Sequence, residues 1–124
     1  MRAYLLKYPD NLEKFKNLNM PVLTRVRIAS SFFEKLTGFI FKKEPASNEG
    51  LLFEDCSSIH TFWMRFPLDI VFLDSNNRIL RIFPDLKPFR FTPLVKNSKK
   101  VLELKAGLSV ELGLEAGYYL KFRE

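Results

Sequence analysis

Leu68-Asp-Ile-Val-Phe-Leu73, Asp74-Ser-Asn-Asn77 and Arg78-Ile-Leu-Arg-Ile-Phe83 follow one another in this chain, and their reading decides its fold. The first run is apolar on both faces except at Asp69, the pattern of a strand covered on two sides. Asp and Asn tolerate left-handed backbone and bond their own amides, so Asp74 to Asn77 makes a tight turn. The run from Arg78 to Phe83 is then the partner strand. A carboxylate inside such a strand costs on the order of several kcal/mol if buried unpaired, so Asp69 needs a partner: Arg65, Arg90 or backbone amides.

Working outward, strand signals dominate. Val22 to Ile28 ends in an alternating Arg25/Arg27 against Val26/Ile28 pattern, and Gly50-Leu-Leu-Phe53 returns the chain to the core after a surface loop from Lys42 to Gly50. Ile59 to Met64 is expected to pair with Leu68 to Asp74 as a hairpin around Arg65-Phe-Pro67. Pro84, Pro88 and Pro93 make 84–93 irregular or an edge. Val101 to Leu104 is a further strand, Ala106-Gly107 a break, Leu108 to Leu114 a helical turn, and Gly117 to Phe122 the last strand. Capping boxes at Asp10/Glu13 and Ser31/Glu34 predict short helices over 11–18 and from Ser31 to about Thr37. The expected fold is mainly β (or α+β with few helices): a small antiparallel β-sandwich or partly closed barrel with one or two short helices. Residues 1–20 read as an N-terminal extension with helical potential, and 21–124 as a single β-rich domain.

Composition bounds the function. A chain of 124 residues, 47% hydrophobic with 13 Phe, can build one packed core without staples. Its one Cys excludes an internal disulfide and fits a reducing compartment. The apolar stretch Ala3 to Leu6 is too short for a secretory signal and no run is long enough to span a bilayer, so a soluble cytoplasmic protein is expected. The net charge of +6 could attract phosphate-bearing partners. Its densest patch, Arg90 with Lys96, Lys99, Lys100 and Lys105 against Glu103, has no recognition helix or arginine-rich tract, which argues for a solvated basic face and against nucleic acid. No GxGxxG or GxxxxGK[ST] run is present, which argues against a dinucleotide-binding or P-loop enzyme, and no cofactor is indicated.

Thr37-Gly38-Phe-Ile-Phe41, Gly50-Leu-Leu-Phe53, Cys56, Ile59-His60-Thr61, Met64, Pro67-Leu-Asp69-Ile-Val-Phe-Leu-Asp74 and Val101-Leu-Glu-Leu-Lys-Ala-Gly107 occur in this order, followed by a glycine-led last strand. In that combination the chain, from about Val22 to its C-terminus, resembles the uncharacterised family called domain of unknown function number 192. The resemblance implies a compact β-rich domain of bacteria and archaea without an established activity. Many relatives resemble secreted proteins with a signal peptide, whereas this N-terminus has none of that character. Many also carry Asp after the final glycine, where this chain has Tyr118 after Gly117.

The only Cys, His and Trp fall together in Cys56-Ser-Ser-Ile-His60-Thr-Phe-Trp63. Cys56 with His60 could act as nucleophile and base, giving a cysteine-dependent hydrolase or transferase. In an extended segment, however, residues four apart lie roughly 13 Å apart, so Ser57-Ser58 would have to turn Cys56 back. Within the expected hairpin His60 falls at the Asp74 end and Asp69 near the tip. Asp74 is therefore the carboxylate His60 could reach. One Cys and one His fall short of the four ligands of a structural zinc site, and no spacing recruits Asp55, Asp69 or Asp74, so no metal is expected. Trp63 with Phe62, Phe66 and Phe72 could form a carbohydrate platform, although aromatics on strands are core by default. The preferred reading is a non-catalytic binding or accessory module for a small polar or anionic ligand or a protein partner, with His60, Thr61, Arg65, Asp69 and Arg90 as its site.

Overall fold

Leu68–Leu73 is a strand buried at every position, because both its edges and both its faces are covered. A computed structural model of the chain describes residues 1–7, 20–29, 43–61 and 64–124; the helices expected over 11–18 and 31–37, and Phe62 and Trp63, lie outside the described residues. The elements in order are β1 (Arg2–Leu6), β2 (Arg25–Ile28), β3 (Glu49–Glu54), β4 (Leu68–Leu73), β5 (Ile79–Leu86), β6 (Lys100–Lys105), helix α1 (Leu108–Glu111) and β7 (Tyr119–Arg123). They form a five-stranded sheet in the order β2-β3-β6-β4-β5 and a two-stranded sheet of β1 and β7. The mainly β reading holds. Neither sheet closes into a barrel among the described residues, and one pair, β2 with β3, is parallel.

The strands follow from local chemistry. Asp74 Oδ1 accepts from the amides of Asn76 (2.8 Å) and Arg78 (2.9 Å), and Asn77 takes φ 64°, as the turn residues require. Pro84 is tolerated because β5 is the sheet edge, where a missing N–H breaks no ladder. Gly50 brings β3 close to its neighbours: a Cβ there would lie 2.9 Å from Leu102 Cδ1. β1 lies in what the sequence suggested was an extension, yet Arg2 to Leu6 pair with Arg123 to Tyr119.

Period-2 alternation divides the apolar residues between two cores. On one face of the large sheet Leu52, Val71, Leu73, Leu102 and Leu104 meet Ala3 of β1, Leu120 of β7 and Leu108 of α1. On the other face Leu51, Phe53, Leu68, Ile70, Phe72 and Val101 pack with Met64 and Val95 from the connecting loops. Those loops carry Cys56, His60, Thr61, Arg65 and Arg90, whereas Asp69 sits on β4 itself.

Candidate functional site

The segment from Cys56 to Thr61 does not pair with β4. Both edges of β4 are occupied, by β5 and β6, and a strand has only two. The segment instead lies antiparallel to the strap between β5 and β6. Thr61 N donates to Arg90 O (2.8 Å), Thr92 N to Ile59 O (2.9 Å), Val95 N to Ser57 O (2.9 Å) and Cys56 N to Lys99 O (3.1 Å). His60 stands opposite Phe91, so the expected hairpin and its His60–Asp74 pairing are replaced by a ladder to the strap. Asp74 spends Oδ1 on its own turn.

Two of the expected site residues are buried tethers. Thr61 is 1% exposed. Its hydroxyl donates to Lys87 O (2.6 Å) and accepts from Arg90 N (3.0 Å), and its carbonyl accepts from Phe89 N (3.1 Å). Asp69 is fully buried on β4. Its partners are neither Arg65 nor Arg90, but backbone amides and one hydroxyl. Oδ1 accepts from Asp85 N (2.8 Å) and Gly107 N (3.1 Å), and Oδ2 from Ser109 N (2.8 Å) and Ser109 Oγ (2.5 Å). The Asp85 amide is available because β5 bulges opposite Asp69: Leu68 pairs with Leu86 but Ile70 with Phe83, and Asp85 takes φ 51°. The other donors are the free amides at the start of α1, where Gly107 has no side chain to cap them. One carboxylate thus ties the bulge, β4 and the helix together.

The remaining residues reach the surface. His60, Arg65 and Arg90 are exposed, and so are Phe89 (58%), Phe91 (73%) and Leu94 (75%). Residues opposite each other in an antiparallel pair project to the same side, so His60 and Phe91 stand together. Phe89 has φ 61°, a left-handed conformation that costs a bulky residue on the order of 1 kcal/mol. Its amide and that of Arg90 are both held by Thr61. The result is a rigid ledge, apolar and cationic at once. The Cys56 thiol donates to Ser58 O (3.0 Å) within its own turn. Among the described residues no three His, Cys, Asp or Glu come together in a way that could hold a metal ion, and no helix is long and apolar enough to cross a membrane.

Sequence reasoning missed Thr92 and Glu103. Thr92 Oγ1 accepts from Ile59 N (3.0 Å) and gives the strap its third fixed point. Glu103 is 4% exposed at the centre of the sheet, between Leu51 of β3 and Ile70 of β4. Among the described residues its Oε2 has no hydrogen-bond partner, and burial pushes the carboxyl from an ordinary 4.5 up to about 8. The signal was present, since Glu103 alternates in phase with Val101, which faces inward.

Comparison with known proteins places this architecture. The family model DUF192, described as "Uncharacterized ACR", matches residues 15–122. A UPF0127 protein of Pyrococcus horikoshii is 33% identical over 100 residues, covering 78% of this chain and 86% of that protein. A protein of unknown function from Novosphingobium aromaticivorans superposes with a TM-score of 0.71 at 25% identity, over 78% of this chain and 74% of that one. A Sinorhizobium meliloti structure, provisionally named as a transcription regulator, gives a TM-score of 0.73 at 23% identity over 97% and 91% of the two chains, a likeness of fold alone. With nearly the whole β-rich region matched, this chain belongs to the DUF192 family of uncharacterised proteins.

Proposed function

We propose that the chain is a non-catalytic binding module of the cytoplasm, whose ledge of His60, Arg65 and Arg90 receives a polar or anionic ligand, either small or presented by a protein partner. The observation that carries this reading is the use made of Thr61 and Asp69. Their buried polar atoms fasten the strap on either side of Lys87, which keeps Arg90 fixed between two exposed phenylalanines. Exposed apolar side chains on a rigid, cationic support suit recognition, because little ordering entropy is lost on binding. A thiol bonded to its neighbouring carbonyl gives no support to a cysteine-dependent reaction.

The test is a thermal-shift screen of carboxylates, phosphates and acidic peptides against the wild type and His60→Ala, Arg65→Ala and Arg90→Ala. The expected result is a ligand whose affinity falls about tenfold or more in Arg90→Ala, the loss of roughly one charge-assisted contact. A screen in which no hit is weakened by any of the three variants would remove the ledge from consideration. Rapid thiol labelling of Cys56 that collapses in His60→Ala would replace the binding reading with the enzymatic one.

A further inference from the structure

Beyond the ledge, the other end of the same ladder opens into a groove of about 640 Å³, within the usual range for small-molecule sites. Arg78, Lys96 and Lys99 line it, with Asp74 and an apolar wall that includes Leu80 and Leu94. None of His60, Arg65 or Arg90 does.

The rim is fixed. Lys99 N donates to Leu73 O (2.8 Å), Val95 N to Ser57 O (2.9 Å) and Ser98 N to Val95 O (3.1 Å) around a left-handed Asn97 with φ 69°. Ser98 Oγ donates to Cys56 O (2.8 Å) and locks the two loops together. Lys96 and Lys99 are therefore carried on a preorganised turn.

The charges are unbalanced. Among the described residues none of Arg78, Lys96 and Lys99 enters an ion pair, whereas Lys87 meets Asp85 at 2.7 Å and Arg25 meets Glu49 at 4.0 Å. Among the described residues Asp74 is the one acid of the groove, and two backbone amides already share its Oδ1. Three cations against one engaged carboxylate on a rigid rim repel one another, and an oxyanion relieves that repulsion. A smaller recess shares Ser75 and Lys99 and is bordered by Glu54 and Asp55. Those carboxylates repel an anion from that side, so it is directed towards Arg78 and Lys96. The apolar wall adds a second requirement. Leu94 is 75% exposed, and an apolar body laid on it gains from burial.

We propose that this groove binds an organic phosphate, with the phosphoryl oxygens held by Arg78, Lys96 and Lys99 and the apolar body resting on Leu80 and Leu94. The site is independent of the ledge, and its failure would leave the ledge reading untouched.

The experiment is an amide-resolved NMR titration of the full chain with phenyl phosphate, inorganic phosphate and benzyl alcohol. The variants are Lys96→Gln/Lys99→Gln, Leu94→Ser and Arg90→Ala, all at exposed positions. Shifts are expected to concentrate at Ser57 and at Lys96 to Lys99. Phenyl phosphate should bind about tenfold more tightly than inorganic phosphate, and the double lysine variant should lose about tenfold or more. Leu94→Ser should remove the advantage of the phenyl group while leaving inorganic phosphate unchanged, and Arg90→Ala, which belongs to the ledge, should leave the shifts at Ser57 and at Lys96 to Lys99 unchanged. Shifts of similar size at a remote lysine such as Lys105, at the far end of β6 from Lys100, or equal binding by the double variant, would overturn the proposal, as would shifts at Lys96 to Lys99 that depend on Arg90.

Discussion

Replacing Glu103 with Gln should flatten the pH dependence of stability. Glu103 sits in a row across the large sheet, Arg27–Leu51–Glu103–Ile70–Phe83. Its ladder neighbours are aliphatic, and the cation in the row is two strands away, about 10 Å by the usual strand spacing. Burial therefore dominates, and the folded protein keeps this carboxyl protonated to about pH 8, while the unfolded chain releases its proton near the ordinary 4.5. The unfolded state gains stability through ionisation as pH rises while the folded state does not. The contribution is fully present below the unfolded value and is lost as pH climbs through the folded one. The slope is about 1.4 kcal/mol per pH unit, giving a loss of about 3 kcal/mol between pH 5 and pH 8. Urea unfolding of wild type and Glu103→Gln at half-unit steps across that range isolates the effect, because every other titrating group is common to both. The difference curve should rise by about 3 kcal/mol in favour of the variant, and Glu103→Leu should follow the same course. Parallel curves for wild type and Glu103→Gln would refute the reasoning, since they would mean that Glu103 is ionised in the folded state at no cost.

Two further expectations concern the tethers. Asp69→Asn puts an amide where Oδ1 or Oδ2 now accepts two hydrogen bonds, and should cost about 3–5 kcal/mol in urea unfolding; a loss under 1 kcal/mol would show that the bulge and α1 do not depend on it. Thr61→Val keeps the shape but strips the hydroxyl from Lys87 O and Arg90 N. It should cost about 1–3 kcal/mol and speed amide exchange at Arg90, with unchanged exchange counting against the clamp.

What could be read from the sequence was whatever local chemistry decides. β4, the Asp74 turn, β5, β6 and β7 carry their own signals in alternation and turn residues. β1 was not legible, because five residues show no strand until β7 supplies the other edge. Proximity in sequence points Ile59 to Met64 towards β4, and only the full sheet order reveals that β4 has no edge to offer. Asp69 was correctly expected to need partners, with backbone amides among the candidates. Two of its donors lie 38 and 40 residues away, beyond any local pattern. Glu103 is the opposite case: the alternation was visible, but its charge suggested a balancing acid on a basic face rather than a buried one.

The pairing of β1 with β7 has a consequence for the order of folding. Strand hydrogen bonds here join residues more than a hundred positions apart in sequence, Arg2 with Arg123. While the chain emerges, β1 must wait with Ala3, Tyr4 and Leu6 uncovered by their eventual partner strand, although the large sheet can already assemble. Such a closure pays its loop entropy late and leaves a sticky edge in the nascent chain. Truncation just before β7 should therefore yield a sheet with one core open, prone to capture by a second copy or a chaperone. β7, five residues long, acts as the latch that closes this core over β1.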